Sequence, residues 1–381
     1  MKHIDQAHLP VIARTHPGMT GKNNEDRFAV SAFVEDSKPV PVLLAVLSDG
    51  IGGHRAGEIA AELAVNTISH LVASSNGENP IETLSSAIQE TSQLIFAQSQ
   101  TNNDQIGMGA TISCAYVQED RLYTATVGDS RIYLIRGNRI LQLSTDHTWI
   151  QEALDSGLLR PDQVKGHPNS HVIRRFLGSP IPPQVDTRLR LESTETNEQA
   201  VANQGMQLKP KDTLLLCSDG LTDLVSAEEI QSVLSYQPME LAAQTLIDMA
   251  NQRGGHDNIT LILIQVPTKA KPKKPRLFFF GFIALVSILL LVGTLFAITN
   301  WLEGRDGLEQ TSTPTQGIPV ELSSQTETFL STSTAEMPQN APGFPQDTPT
   351  SELVLYTPSG PTLTAWPTNT LQLQPATTKT P

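Results

Sequence analysis

Short runs of Val, Ile, Leu and Thr alternate with polar turns through the first two-thirds of the chain. Residues 42–47, 111–117, 122–126, 132–135, 140–143, 213–217 and 259–266 read as strands, with a further short one at 27–30. Several follow one another at hairpin distance, as across Gly137-Asn138, so the pattern predicts largely antiparallel sheets. Two stretches switch to a helical period. Residues 57–72 set Ile59, Leu63, Ile68 and Leu71 on one face, and residues 81–98 do the same with Ile81, Leu84, Ile88 and Ile95. Residues 144–205 are polar and dotted with Pro and Gly. They read as an inserted loop region over an edge of the sheets, with one more helix around 147–155. Strands in sheets with long helices outside predict an α+β fold over residues 1–267: a four-layer α-β-β-α sandwich of two antiparallel sheets flanked by helices.

The pattern changes after Pro267. Residues 268–276 hold five Lys/Arg, and residues 277–299 then run apolar without a charge. That is about the 20 residues a helix needs to cross a bilayer, and no polar face interrupts it. The basic flank lies before the span and only Arg305 follows closely, which predicts residues 1–267 on the cytoplasmic side and the C-terminus outside. The first residues, from Met1 to His8, show no apolar stretch of the signal-peptide kind. The expected protein is a single-pass chain at the cell membrane. Residues 300–381 are rich in Thr, Ser and Pro, with too few large apolar side chains to offset their ordering entropy, and read as a disordered extracytoplasmic tail.

Composition narrows the chemistry. The net charge is −13, distributed as −12 over residues 1–267, +5 over 268–276 and −6 beyond, which argues against nucleic acid as a partner. The two cysteines, Cys114 and Cys217, each lie in an apolar run. They read as buried thiols and exclude a disulfide-stapled domain or a cysteine-rich zinc fold.

The acids are the informative feature. The apolar strand at 42–47 runs through Ser48 into Asp49-Gly50, and the one at 213–217 runs through Ser218 into Asp219-Gly220. Asp257-Asn258 opens the last strand, Gly128-Asp129-Ser130 separates two strands, and Asn24-Glu25-Asp26 precedes the strand at Arg27. A carboxylate at the end of a buried strand is costly unless something pairs with it. Each Asp-Gly is also an ordinary turn signal. Five acids so placed point instead to one shared site at one edge of the sandwich. An oxygen-rich cluster with little histidine suits Mg²⁺ or Mn²⁺.

In these residues the chain resembles the metal-dependent serine/threonine protein phosphatases of the PPM, or protein phosphatase 2C, type in their bacterial form. The resemblance spans roughly residues 8–267. It is carried by Asn24-Glu25-Asp26-Arg27-Phe28, Ser48-Asp49-Gly50-Ile51-Gly52-Gly53-His54, Met108-Gly109-Ala110-Thr111 and Gly128-Asp129-Ser130-Arg131. Thr145-Asp146-His147, Ser218-Asp219-Gly220-Leu221-Thr222-Asp223 and Gly255-His256-Asp257-Asn258 complete it. It implies hydrolysis of phosphoserine and phosphothreonine in proteins by a water or hydroxide bridging two divalent cations. Asp49, the Gly50 carbonyl, Asp219 and Asp257 would hold two Mn²⁺ or Mg²⁺ ions, with Glu25 and Asp26 acting through waters. Asp129 and Asp223 match a third-metal site of bacterial members. A transmembrane serine/threonine kinase is the counterpart the family implies.

Two positions depart from the family pattern. Gly21 stands where many members carry a phosphate-gripping arginine, leaving Lys22 as the substrate-binding cation, without the arginine fork. Ile51 stands where eukaryotic members carry a histidine as general acid, so no side chain is assigned that role. His54, His147 and His256 are expected to shape backbone rather than ligate metal, and Arg131 to brace the Asp129 turn. Arg174-Arg175 read either as a contact for phosphopeptide or as a solvated face. The alternative to an active enzyme is a membrane receptor or interaction protein with a degenerate phosphatase domain, motivated by Gly21 and the long tail.

Overall fold

The structure, a computed structural model, describes residues 1–35, 39–52, 56–164, 166–268 and 291–298. Residues 1–268 belong to one compact unit and 291–298, an exposed helical stretch, to a second. Among the described residues no helix is long and apolar enough to cross a membrane. Most of the expected span at 277–299, the basic stretch beyond Thr268 and the expected tail from 300 lie outside the described residues, as does His54.

The chain opens with β1 (Lys2–His3), β2 (Val11–His16), β3 (Arg27–Val34), β4 (Pro41–Ser48) and the short β5 (Gly50–Ile51). Two helices follow, α1 (Ala56–Ser74) and α2 (Pro80–Ser99). Next come β6 (Gly109–Ala110), β7 (Ile112–Gln118), β8 (Arg121–Val127), β9 (Arg131–Arg136) and β10 (Arg139–Gln142). A long connection carries α3 (Trp149–Asp155) and α4 (Asn197–Ala202) to β11 (Met206–Gln207) and β12 (Thr213–Cys217). Three helices, α5 (Asp219–Thr222), α6 (Ala227–Tyr236) and α7 (Met239–Gln252), precede β13 (Ile259–Gln265).

The strands form a six-stranded sheet in the order β1-β3-β4-β7-β8-β11 and a five-stranded sheet in the order β10-β9-β12-β13-β2, with β5 and β6 paired separately. Every pairing is antiparallel. Strand alternation divides the apolar residues into three layers. Val42, Leu44 and Val46 of β4 face α1 and α2 together with Cys114 and Tyr116. Leu43, Ala45 and Leu47 face the other way and meet Ile132, Leu134, Leu214, Leu216 and Ile262 between the sheets. Leu215, Cys217, Leu261 and Leu263 face α5, α6 and α7 through Leu221, Ile230 and Leu246. The expected α-β-β-α order results, because each central strand is apolar on both faces. Both cysteines are buried free thiols, and burial pushes Cys217 up to about 12.

The helices depart most from the sequence pattern. In α1 the buried face is Ala60, Ala61, Ala64, Val65 and Ile68, while Ile59, Leu63 and Leu71 are only partly covered. Small residues face the sheet because the helix packs closely on it. The same preference hid α7, whose buried face includes Ala242, Ala243 and Ala250 and so lacks a period of large side chains. Helix α6 carries a capping box from Ser226 and Glu229, a legible start signal that the apolar period alone overlooks. Edge strand β2 went unread because its residues are all half-buried and show no alternation. Strand β3 runs on to Val34, past the expected end at 30.

Leu216, fully buried between the sheets, tests the central layer. Leu216→Ala is expected to lower stability by about 2–5 kcal/mol in urea unfolding of the full chain. Tyr236→Ala, on an 86% exposed side chain, should stay within about 0.5 kcal/mol of the parent.

Candidate active site

Antiparallel register carries the acids to one edge. Arg27 of β3 pairs with Ser48 of β4, so Asp26 and Asp49 sit at neighbouring strand ends. Cys217 of β12 pairs with both Arg131 of β9 and Leu261 of β13, so Asp219, Asp129 and Asp257 likewise share an end. Asp129 lies where the chain leaves β8 of one sheet for β9 of the other. Both sheets therefore present their acids at the same edge, and Asp49 feels the charges of Asp26, Asp219, Asp129 and Asp257 together.

Neutral side chains lock these strand ends. Asn258 accepts the Glu25 amide proton at 2.7 Å and donates to the carbonyls of Pro17 and Asn23, both at 3.1 Å. Asn24 accepts from the Asp26 amide at 3.0 Å and donates to Thr15 Oγ1 at 2.7 Å. Thr111 Oγ1 accepts from the Asp49 amide at 3.0 Å, while its own amide donates to the Asp49 carbonyl at 2.8 Å. Ser218 Oγ donates to Asp26 Oδ2 at 2.8 Å. Glycine is required where backbones meet. A Cβ on Gly50 would strike the Gly57 carbonyl and come within 2.9 Å of the Glu25 carbonyl, and one on Gly57 would meet the Glu25 carboxylate.

The electrostatics show what the edge lacks. Burial first, then the charges of Asp26, Asp219, Asp129 and Asp257, holds Asp49 far above the usual carboxylate range. Burial likewise raises Asp26 to about 7, against hydrogen bonds from Thr260 and Ser218, and with added repulsion from Asp219 and Asp257. Asp129 rises to about 8 through burial and the charges of Asp219 and Asp146. Asp219 rises to about 6 through burial and the charges of Asp223 and Asp257. Asp26 Oδ1, Asp129 Oδ1 and Asp219 Oδ1 are buried with no hydrogen-bond partner among the described residues. Buried, mutually repelling acids with orphaned oxygens fit a divalent cation site, since cations would satisfy those oxygens and relieve the repulsion.

The remaining expected residues fall as follows. Glu25 is half-buried and raised by burial and by Asp257 and Glu58, while Lys22 and Arg27 oppose the shift. Lys22 is exposed and within electrostatic reach of Glu25. Gly21 has φ +74° with open space around it, so the departure from arginine coincides with a left-handed backbone position that favours glycine. Asp223 lies beside His171 and Asp219, and Asp129 also feels the charge of Asp219. Arg131 does not brace Asp129 by a salt bridge. It grips Asp146 with Nε at 2.9 Å and Nη2 at 2.7 Å, because Asp146 meets both guanidinium edges. His147 shapes backbone as expected: Nδ1 accepts from the Gly128 amide at 2.9 Å, so its proton sits on Nε2, toward Asp186 Oδ2 at 3.1 Å. Arg174 pairs with Glu152, and Asp257 Oδ1 accepts from the Asn258 amide at 2.8 Å. Sequence reasoning missed His171, which lies beside Asp223 and Asp219 and has no motif around it.

The comparisons agree with this geometry. A family model described as protein phosphatase 2C matches residues 20–153. The serine/threonine phosphatase stp of Listeria welshimeri is 34% identical over 257 residues, covering 66% of this chain and 94% of its own length. The chain belongs to the protein phosphatase 2C family. Among solved structures, the S. agalactiae serine/threonine phosphatase superposes with a TM-score of 0.59 at 30% identity, covering 68% of this chain and all of that one. The catalytic domain of the phosphatase PstP in complex with two manganese ions matches with a TM-score of 0.55 at 31% identity, over 68% of this chain and 99% of its own. In this protein phosphatase 2C chain the residues that the family model matches include Glu25, Asp26, Asp49 and Asp129.

The raised acids set a pH dependence. A carboxylate with a raised folded pKa contributes stability that is full below about pH 4 and is lost as pH climbs through the folded value. For Asp219, Asp26 and Asp129 those values are about 6, 7 and 8. In EDTA the melting midpoint is therefore expected to fall between about pH 5 and pH 8.5. Mn²⁺ should restore it at the upper end in a concentration-dependent way. Asp219→Asn should raise the metal-free midpoint there and blunt the Mn²⁺ effect; calorimetry at both pH values checks all three.

Proposed function

We propose that this chain is a membrane-anchored, metal-dependent phosphatase acting on phosphoserine and phosphothreonine in proteins. The observation that carries the reading is the set of buried strand-end carboxylates with orphaned oxygens on the edge of a protein phosphatase 2C sandwich. Asp49, the Gly50 carbonyl, Asp219 and Asp257 would hold two divalent cations, with Glu25 and Asp26 contributing through waters. Mn²⁺ is favoured by the two manganese ions named for the PstP catalytic domain, and Asp129 and Asp223 are the acids left for a third ion. Cations bound there supply Lewis acidity, making water a competent nucleophile near neutral pH and neutralising charge on the phosphoryl group.

The chain's own residues do the rest. Ser218 fixes Asp26 through Oδ2, leaving Oδ1 as an acceptor for a proton or an ordered water. Asn258 and Thr111 hold Glu25 and Asp49 at fixed separations, so the cluster needs no reorganisation when phosphate arrives. Lys22, exposed beside Glu25, is the cation that meets the substrate phosphate in place of the missing arginine. The receptor reading is disfavoured, because a degenerate domain has no use for acids that repel one another when metal-free.

The rest of the architecture follows from the sequence pattern. Residues 1–267 form the cytoplasmic catalytic domain, 268–276 a basic juxtamembrane linker, 277–299 the span and 300–381 the extracytoplasmic tail. A transmembrane serine/threonine kinase is the partner that would supply its substrates. The full chain should resist alkaline carbonate extraction from membranes, and protease added to intact cells should trim only the tail. Release by carbonate would remove the anchor from the reading.

Activity is tested on the full chain with a phosphothreonine peptide. Turnover should require Mn²⁺, vanish in EDTA and fall by about a hundredfold or more in Asp219→Ala. Lys22→Ala should raise KM about fivefold with little change in kcat, as for loss of one exposed charge contact. Mn²⁺ binding without turnover would bring the receptor reading forward.

A further inference from the structure

The loop region contributes an imidazole to the acid cluster. His171 Nδ1 lies 3.3 Å from Asp223 Oδ2. One ligand atom each from His171, Asp219 and Asp223 lie within 4.8 Å of one another. Asp219 also has a buried Oδ1 with no hydrogen-bond partner among the described residues. The backbone around His171 is held on both sides. The Trp149 amide donates to the Val172 carbonyl at 2.9 Å, and the Arg174 amide to the His147 carbonyl at 2.7 Å. Thr148 and Ile173 form a bridge, and the His167 ring stacks on Trp149 with centroids 4.9 Å apart. His147 is in turn bonded to Gly128 through its ring and its amide, directly before Asp129. The loop is thus pinned to the crossing between the sheets, and from there it sets His171 against the opposite pair of acids.

We propose that His171 is a nitrogen ligand to a divalent cation held with Asp219 and Asp223, so that the bound cation ties the 167–174 loop to the end of β12. The inference rests on the metal-dependent reading above and adds to it a ligand from outside the strand ends. Two carboxylate oxygens and one imidazole nitrogen form a mixed donor set. Such a set accepts Mn²⁺ and serves Mg²⁺ poorly, because Mg²⁺ favours oxygen ligands and retains its waters. The all-oxygen cluster around Asp49 lacks that preference. His171 therefore acts as a positioning residue: when the cation is bound, the loop beside the acids is held by a metal bond rather than by one solvent-facing ion pair. As a simple ion-pair partner of Asp223, His171 would leave bound Mn²⁺ without a nitrogen neighbour.

The full chain loaded with Mn²⁺ decides between these by pulsed electron paramagnetic resonance, which detects nitrogen bound to manganese. Nitrogen modulation is expected in the parent and should be lost in His171→Ala, with the weakest Mn²⁺ site loosened about tenfold in equilibrium dialysis. The His171 side chain is 69% exposed, so the substitution should leave the melting midpoint in EDTA unchanged. His171→Asp should recover Mn²⁺ affinity without the nitrogen signal. Hydrogen exchange in a peptide spanning 168–174 should slow on adding Mn²⁺ to the parent and not to His171→Ala. Bound Mn²⁺ without nitrogen modulation in the parent, or modulation that persists in His171→Ala, would overturn the inference while leaving the phosphatase reading intact. A chain that binds no Mn²⁺ overturns both.

Discussion

The repulsion among carboxylates gathered at one edge of the sandwich is the constraint that orders the rest of this structure. Two unit charges 4 Å apart repel by about 4 kcal/mol at an effective dielectric near 20. A domain stable by about 5–15 kcal/mol cannot absorb several such pairs. Burial first, and that repulsion after it, favours protons on the metal-free acids, so Asp26, Asp49, Asp129 and Asp219 all sit above the usual carboxylate range. The neutral braces act on the same problem. Asn258, Thr111 and Ser218 satisfy some oxygens and amides and leave others open, so the acids are fixed in place without being neutralised.

That fixation depends on the apolar layers. Strands β4 and β12 are buried on both faces, and neither can slip by one residue without turning an apolar layer over. Asp49 and Asp219 inherit this rigidity, being one or two residues beyond the end of each strand. The glycines allow the ends to close up: Gly50 against Gly57 and Glu25, and Gly220 against the Asn258 carbonyl. Stability and site geometry are here the same property of the sheets.

The loop region works differently. It holds few buried apolar residues, and charged hydrogen bonds set its position. Although burial opposes it, hydrogen bonds from His147 and Arg188 keep Asp186 well below the usual carboxylate range. Asp186 also takes part in a bridge to Thr126 of β8. His147 reaches from the same contact to Gly128, so the base of the loop is joined to the site through one imidazole. Its tip, with His171, is free of the core and is placed to respond to what the acids hold.

The sandwich and its acids are legible in local patterns along the chain. Double-faced apolar strands ending in Asp are a local pattern, since burial and turn chemistry act over a few residues, and Asp49, Asp219, Asp257, Asp129 and Asp26 were all legible that way. The uncharged apolar run at 277–299, on which the proposed span rests, is equally local, because hydrophobic length is a property of the chain alone. Tertiary structure decided what depends on distant partners. Helices α1 and α7 bury alanine faces, which carry little hydrophobic signal until a sheet lies against them. Arg131 has acids on several sides in the sequence, and only packing commits it to Asp146. The approach of His171 to Asp223 depends on how a polar loop folds back over the sheets, and no period or motif encodes that return.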